Sequence, residues 1–324
     1  MDSNNSLANS TSSEESLPRD PSTDAPFPSA IDLIKETIKK YRANFKTIIL
    51  LVIVPLVSLI AYNGLSLFMN VEGEKWLQTN VGVYAVVLIL SFLLVAVQII
   101  SNLLANFSIW KLVEEEYKQP VSAIDLMQQS KYLIIPSVYI WFLQTLIIIA
   151  GSLVFIIPGI IATFYLMFST LSLVILQKRG LDALGSSIYY IKGQVKNTLI
   201  NFIMAMLIGW TAFFIAMALI SGLAFLGGIE INPKDLMNED QPLMNFNRFV
   251  FQTISDGVTY LVGMPLGLIY LYLLFKELIK RKSAPNEGEI LEERSYLKKA
   301  VMWSPAIIII CLLCIILLVI NANN

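Results

Sequence analysis

The sequence predicts an all-α polytopic membrane helix bundle with seven transmembrane helices, a six-helix core plus one. Three observations carry that reading. Of 324 residues, 56% are hydrophobic and 15% charged, against about 45–50% and about 25% in a soluble domain. Mean hydropathy is +0.68. The apolar residues also gather into seven runs of about 18 or more with few charges, each long enough to cross a bilayer core.

Residues 1–28 are Ser, Asn, Asp, Glu and Pro with almost no apolar side chains. They cannot bury enough surface to offset chain entropy, so a disordered acidic tail is expected. With Asp2, Glu14 and Glu15 and no apolar core, the start does not read as a signal peptide. The first span is then an uncleaved anchor. Residues 29–282 form the six-helix membrane domain, with spans near Thr47–Asn70, Val83–Ile109, Tyr132–Ile157, Gly159–Gln177, Thr198–Phe225 and Phe249–Phe275. Residues 283–324 hold a charged loop and the seventh span, Val301–Ile320.

Basic residues set the orientation. Nineteen Lys and Arg fall before the first span and between spans two and three, four and five, and six and seven; three, Lys75, Lys234 and Arg248, fall on the other side. This bias predicts a multi-pass plasma-membrane protein with a cytoplasmic N-terminus and an external C-terminus.

The segments on the basic side share a pattern. Ser29-Ala30-Ile31-Asp32-Leu33 returns as Ser122-Ala123-Ile124-Asp125-Leu126, and more loosely as Leu181-Asp182-Ala183-Leu184. Each opens a short amphipathic stretch leading into an outgoing span. In the first, Ile31, Ile34, Ile38 and Tyr41 share a helical face, with Lys35, Lys39 and Arg42 on another. Such a helix is expected to lie along the headgroup layer. Ordinary juxtamembrane helices explain the pattern, and so does duplication of a helix-plus-hairpin unit; the unequal spacings, 93 and 57 residues, weigh against duplication.

Ile156-Ile157-Pro158-Gly159-Ile160, a following span, then Gly180-Leu181-Asp182-Ala183-Leu184-Gly185-Ser186-Ser187 and Ile191-Lys192-Gly193 form an ordered set. It resembles the integral membrane domain associated with some bacterial glycerophosphoryl diester phosphodiesterases and the related uncharacterised YciC-like proteins. The resemblance implies a polytopic helical domain, with the motif covering about 40 residues and the apolar pattern roughly 250. The family's catalytic barrel is absent, so no catalysis carries over. The seventh span departs from the usual six.

Polar groups within spans mark candidate sites. Gln98, Asn102 and Asn106 recur every four residues in the second span and share one face, which must turn from lipid. That face is either helix–helix adhesive or the lining of a path. Asp256 is the candidate intramembrane acid, otherwise an interfacial residue. Pro158 and Gly159 are expected to form the turn of a tight helical hairpin between the third and fourth spans. Pro55, Pro136, Pro265 and Pro305 fall within spans, and Gly263/Gly267 and Ala218/Gly222 have spacings that permit close helix approach. Cys311 and Cys314, in an apolar span, read as small hydrophobes.

The chain has no His, two Cys and a net charge of −1. Imidazole chemistry, a disulfide scaffold and a nucleic-acid footprint are excluded. No paired intramembrane acids and no Walker or GxGxxG loop occur. No catalytic, cofactor or metal residues are assigned. The sequence reads as a non-enzymatic membrane-embedded interaction, assembly or envelope-homeostasis protein, with a transporter or lipid-handling protein using a polar path along the second span as the alternative. The expected partners are membrane lipids, with other membrane proteins or a homo-oligomer besides, and no nucleic acid.

Overall fold

The computed structural model describes residues 27–79, 81–114, 121–226, 242–282 and 287–322. Nearly all of the expected acidic tail, with Lys118 and Lys234, lies outside them. The chain order is α1 (Ala30–Ala43), α2 (Phe45–Thr79), α3 (Val81–Glu114), α4 (Ala123–Ser130), α5 (Ile134–Val154), α6 (Ile156–Leu166), α7 (Ser169–Ile175), α8 (Gly180–Ile191), α9 (Val195–Leu226), α10 (Pro242–Val258), α11 (Met264–Arg281) and α12 (Glu287–Ala322). A 3-10 turn at Lys131–Leu133 joins α4 to α5, and a π-helical turn at Thr259–Gly263 joins α10 to α11. No strand occurs among the described residues. Seven segments are long and apolar enough to cross a membrane, from Phe45–Leu67 to Leu291–Leu313. The chain is thus an all-α, multi-pass membrane protein.

Three units build the bundle, each a short helix followed by an outgoing and a returning span: α1 with α2 and α3, α4 with α5 and α6–α7, and α8 with α9 and α10–α11. Each short helix packs on the returning span of the preceding unit, α4 on α3, α8 on α7, and α1 on α11, which closes a ring. The three helices also match residue by residue. Asp32, Asp125 and Asp182 each stand third in the helix, where a carboxylate meets the positive helix end. Ser29 caps α1 by accepting from the Asp32 N–H at 3.2 Å. Five residues beyond each Asp comes a fully buried hydroxyl, Thr37, Ser130 or Ser187. Between the first and third copies the register is a constant 150 residues: Asp32/Asp182, Thr37/Ser187, buried Ile48/Thr198 and buried Leu51/Asn201. The unequal spacing of the middle copy reflects a shorter hairpin, so the structure favours a repeated unit over three unrelated helices.

The core sits where the three returning spans meet the short helices. It contains Leu103, Phe107 and Ile109 of α3, Leu171 and Leu173 of α7, and Ile269, Tyr270, Leu274, Phe275 and Leu278 of α11. Phe168 stacks on Phe275 with centroids 4.9 Å apart, and Tyr190 meets the same ring edge-on. At the opposite end α3 opens outward: Val86, Ile89, Phe92 and Leu93 are exposed, as lipid-facing side chains must be.

Several expectations need correction. The hairpin reverses at Phe155, a single extended residue (φ −157°, ψ 147°) between α5 and α6. Pro158 and Gly159 lie inside the first turn of α6. Proline fits there because the first turn's N–H groups lack intrahelical partners in any case. Gly159 serves close approach: a Cβ there would collide with Ser152, and one on Gly151 would lie 3.2 Å from the Gly159 nitrogen. The Gln144 amide donates to Leu166 O at 2.6 Å across the hairpin, eleven residues from Phe155 on each side, so the two helices run antiparallel. Among the described residues, a Cβ on Gly267 or Gly222 would meet nothing within 4 Å.

The fourth span is not continuous; it breaks at Met167–Phe168. Nor does α1 lie flat. Its leading Phe27 covers Arg281 at 4.8 Å, while Tyr41 near its end donates to Leu261 O at 2.7 Å, so α1 runs antiparallel along α11. It buries Leu33, Thr37 and Tyr41, and leaves Ile31 and Ile38 exposed on an adjacent face. From Glu287 the supposed charged loop is already the start of α12. Its Glu, Leu, Arg and Lys are strong helix formers. The seventh span packs outside the ring, on α5 and α8.

Candidate functional site

The polar residues singled out in the second span converge with others on one seam between α2, α3 and α10–α11. Helical spacing puts Gln98, Asn102 and Asn106 on one side of α3, drifting about 40° per step. The Gln98 amide reaches Tyr260 Oη at 3.5 Å, the outer limit of a hydrogen bond. Asn63 of α2, a residue not singled out from sequence, donates to Asp256 Oδ2 at 2.9 Å. Asp256 is therefore half-buried and bonded to α2.

Bonding along the seam is incomplete. Among the described residues Asn102 Oδ1 and Asn106 Oδ1 are buried without a hydrogen-bond partner, and so is Thr253 Oγ1, one turn from Asp256. From Thr253 through Asp256 and Tyr260, then along α3 from Gln98 to Asn106, these groups extend for roughly 20 Å at 1.5 Å per residue. That covers most of a hydrocarbon core of about 30 Å. The π-turn lies beside this line. Its wider ring, seen in the Met264 N–H bonding Thr259 O, shifts the following turn and leaves a carbonyl at Leu261, which Tyr41 takes. Such turns recur at functional sites.

The break in the fourth span is satisfied in a parallel way. Ser187 of α8 donates to Tyr165 O at 2.7 Å and accepts from the Phe168 N–H at 3.1 Å. Gln144 and Ser169 both donate to Leu166 O. Irregular backbone within a membrane requires such internal partners. Sequence inspection missed the break because neither Pro nor Gly marks it.

A second polar feature lies where α5, α8 and α12 meet. Arg179, Gly180, Asp182, Tyr139 and Arg294 line an open pocket of about 440 Å³. Arg294 pairs with Asp182 at 3.5 Å, and both are well exposed. Lys192 bonds Glu293 at 2.9 Å, which holds its ammonium above the ordinary lysine value. Lys282 lies 3.5 Å over the Tyr189 ring, donates to Tyr189 O and Lys192 O, and is shifted downward by lost hydration. The Arg294 and Glu293 contacts fasten α12 to α8, and those of Lys282 tie the end of α11 to α8 as well.

Among the described residues no three His, Cys, Asp or Glu side chains come together where they could hold a metal ion. Cys311 is free and half-buried, its Sγ 4.0 Å from Leu153 O; the Cys314 side chain lies outside the description. Compared with protein-family models, curated proteins and solved structures, the chain matches none.

Proposed function

We propose that this is a non-enzymatic plasma-membrane protein that carries a polar group, of a solute or a lipid headgroup, along the seam formed by Gln98, Asn102, Asn106 and Asp256. One observation carries the reading: Asn102 and Asn106 bury amide oxygens that nothing among the described residues satisfies. An adhesive face would pair its amides across the helix interface, because an unpaired buried acceptor costs about 1–3 kcal/mol. Acceptors left open at membrane depth are satisfied by water or by a passing donor. The absence of His from the whole sequence supports a role without acid–base catalysis.

The second reading is a membrane-embedded assembly or interaction protein in which the same face is adhesive. The Asn63–Asp256 bond between α2 and α10 favours it. Thiol labelling separates the two. With Cys311 and Cys314 replaced by Ala, single Cys residues are placed at 98, 102 and 106, and at lipid-facing Val97 as control. A membrane-impermeant thiol reagent is expected to label position 102 and not position 97. If 98, 102 and 106 all resist labelling, the adhesive reading replaces this one.

A further inference from the structure

The three seams of the ring are not equally closed. At two of them the buried hydroxyl of the short helix finds a partner on the preceding returning span. Ser130 meets Ser108 at 3.4 Å, and Ser187 bridges Tyr165 and Phe168. At the third, Thr37 is 1% exposed and its Oγ1 has no partner among the described residues. Thr37 lies instead on the wall of a groove of about 290 Å³ between α1, α9 and α11.

That groove is apolar. Ile34, Ile38, Met204, Ile208 and Leu266 make up much of its wall, and Thr211 spends its hydroxyl on Leu207 O of its own helix. Among the described residues of its wall the groove has only Thr37 with an unpaired hydrogen-bonding atom, too few partners to hold ordered water. It is elongated, running along α9 from Met204 to Ile215, or about 16 Å. Much of its rim is open to the bilayer: Ile38 is 38% exposed and Leu207 51%. Next to it along α1 stand exposed Lys35, Lys39 and Arg42, against Asp32 and Glu36, with exposed Lys46 and Lys196 opening α2 and α9. The balance is cationic, and long basic side chains can keep their charge at the headgroup level while their stems cover apolar surface.

We propose that this groove is a binding site for one acyl chain of an anionic phospholipid from the adjoining leaflet. The chain lies along α9, the Thr37 hydroxyl donates to an ester carbonyl, and the basic residues of α1 face the phosphate. The site stands on the groove and on Thr37, independently of the polar seam.

The test uses the full-length chain in nanodiscs of phosphatidylcholine and phosphatidylglycerol containing a small fraction of phosphatidylglycerol with a diazirine in one acyl chain. After irradiation, the label is expected to concentrate on the peptide containing Met204–Ile215. Thr211→Phe fills the groove from an exposed position and is expected to lower that labelling about tenfold, with thermal unfolding unchanged. Thr37→Val keeps the shape and is expected to weaken retention of the ester lipid without affecting retention of its ether analogue, read by native mass spectrometry. Label spread evenly over all lipid-facing helices, or unchanged in well-folded Thr211→Phe, overturns the proposal. Equal labelling from a phosphatidylcholine probe overturns the anionic assignment.

Discussion

At the scale of single residues, buried hydroxyls fix the returning spans in place, and they differ in how much they hold. Ser187 satisfies two backbone groups at once. Ser187→Ala leaves the Tyr165 carbonyl and Phe168 N–H unpaired in a dry site, a loss of about 2–3 kcal/mol. Ser130 makes one long contact, so Ser130→Ala is expected to cost under about 1 kcal/mol. Thermal unfolding in detergent, run side by side, checks the order; equal shifts would contradict it. Tyr270 donates to Asn201 Oδ1 at 2.7 Å in a fully buried pair. None of these partnerships was legible in the sequence, because Ser and Thr are common in spans and their partners lie on other helices.

Between elements, the α5–α6 hairpin separates two residues that sequence reading joined. Gly159 packs against Ser152, whereas Pro158 occupies a first-turn position with no hydrogen bond to lose. Gly159→Ala is expected to cost about 1–3 kcal/mol by overpacking. Pro158→Ala should stay within about 0.5 kcal/mol. Thermal melts of the two variants decide whether the turn or the contact matters. The joint between α8 and α12 responds to pH. The bond to Glu293 raises the Lys192 value above the ordinary 10.5, so its contribution is present below that value and fades as pH climbs through the raised one. The stability difference between wild type and Glu293→Gln, a few tenths of a kcal/mol at neutral pH because Lys192 is largely exposed, is expected to disappear in strongly alkaline buffer. Lys282 is shifted downward by burial and is partly held up by the charge of Glu293, so Glu293→Gln lowers it further and its titration adds to the measured difference.

For the whole molecule, ring closure through α1 on α11 ties the two ends of the six-span core together. The basic bias gives the expected threading. An outside-active reporter fused at Asn324 should give signal, whereas one at Ser283 should not; the reverse pattern would invert the assigned topology.

The sequence by itself determined the helical class, the seven spans and the three short helices. Hydrocarbon leaves backbone polar groups no partners but their own helix, so an apolar run of sufficient length has one structural outcome. The same constraint made Gln98, Asn102 and Asn106 visible as a shared face. Only tertiary structure decided what faces them. Tyr260, which meets Gln98, lies 162 residues away, and Asn63 meets Asp256 across 193 residues; lipid-facing and protein-facing apolar side chains also look alike in composition. The breaks at Phe155 and Met167–Phe168 and the lean of α1 along α11 likewise depend on neighbours: Gly159 against Ser152, Ser187 beneath Tyr165, and Tyr41 reaching Leu261. A helix in a membrane forms from its own residues, but where it breaks and which face it turns inward are settled by the partners that satisfy its freed backbone groups.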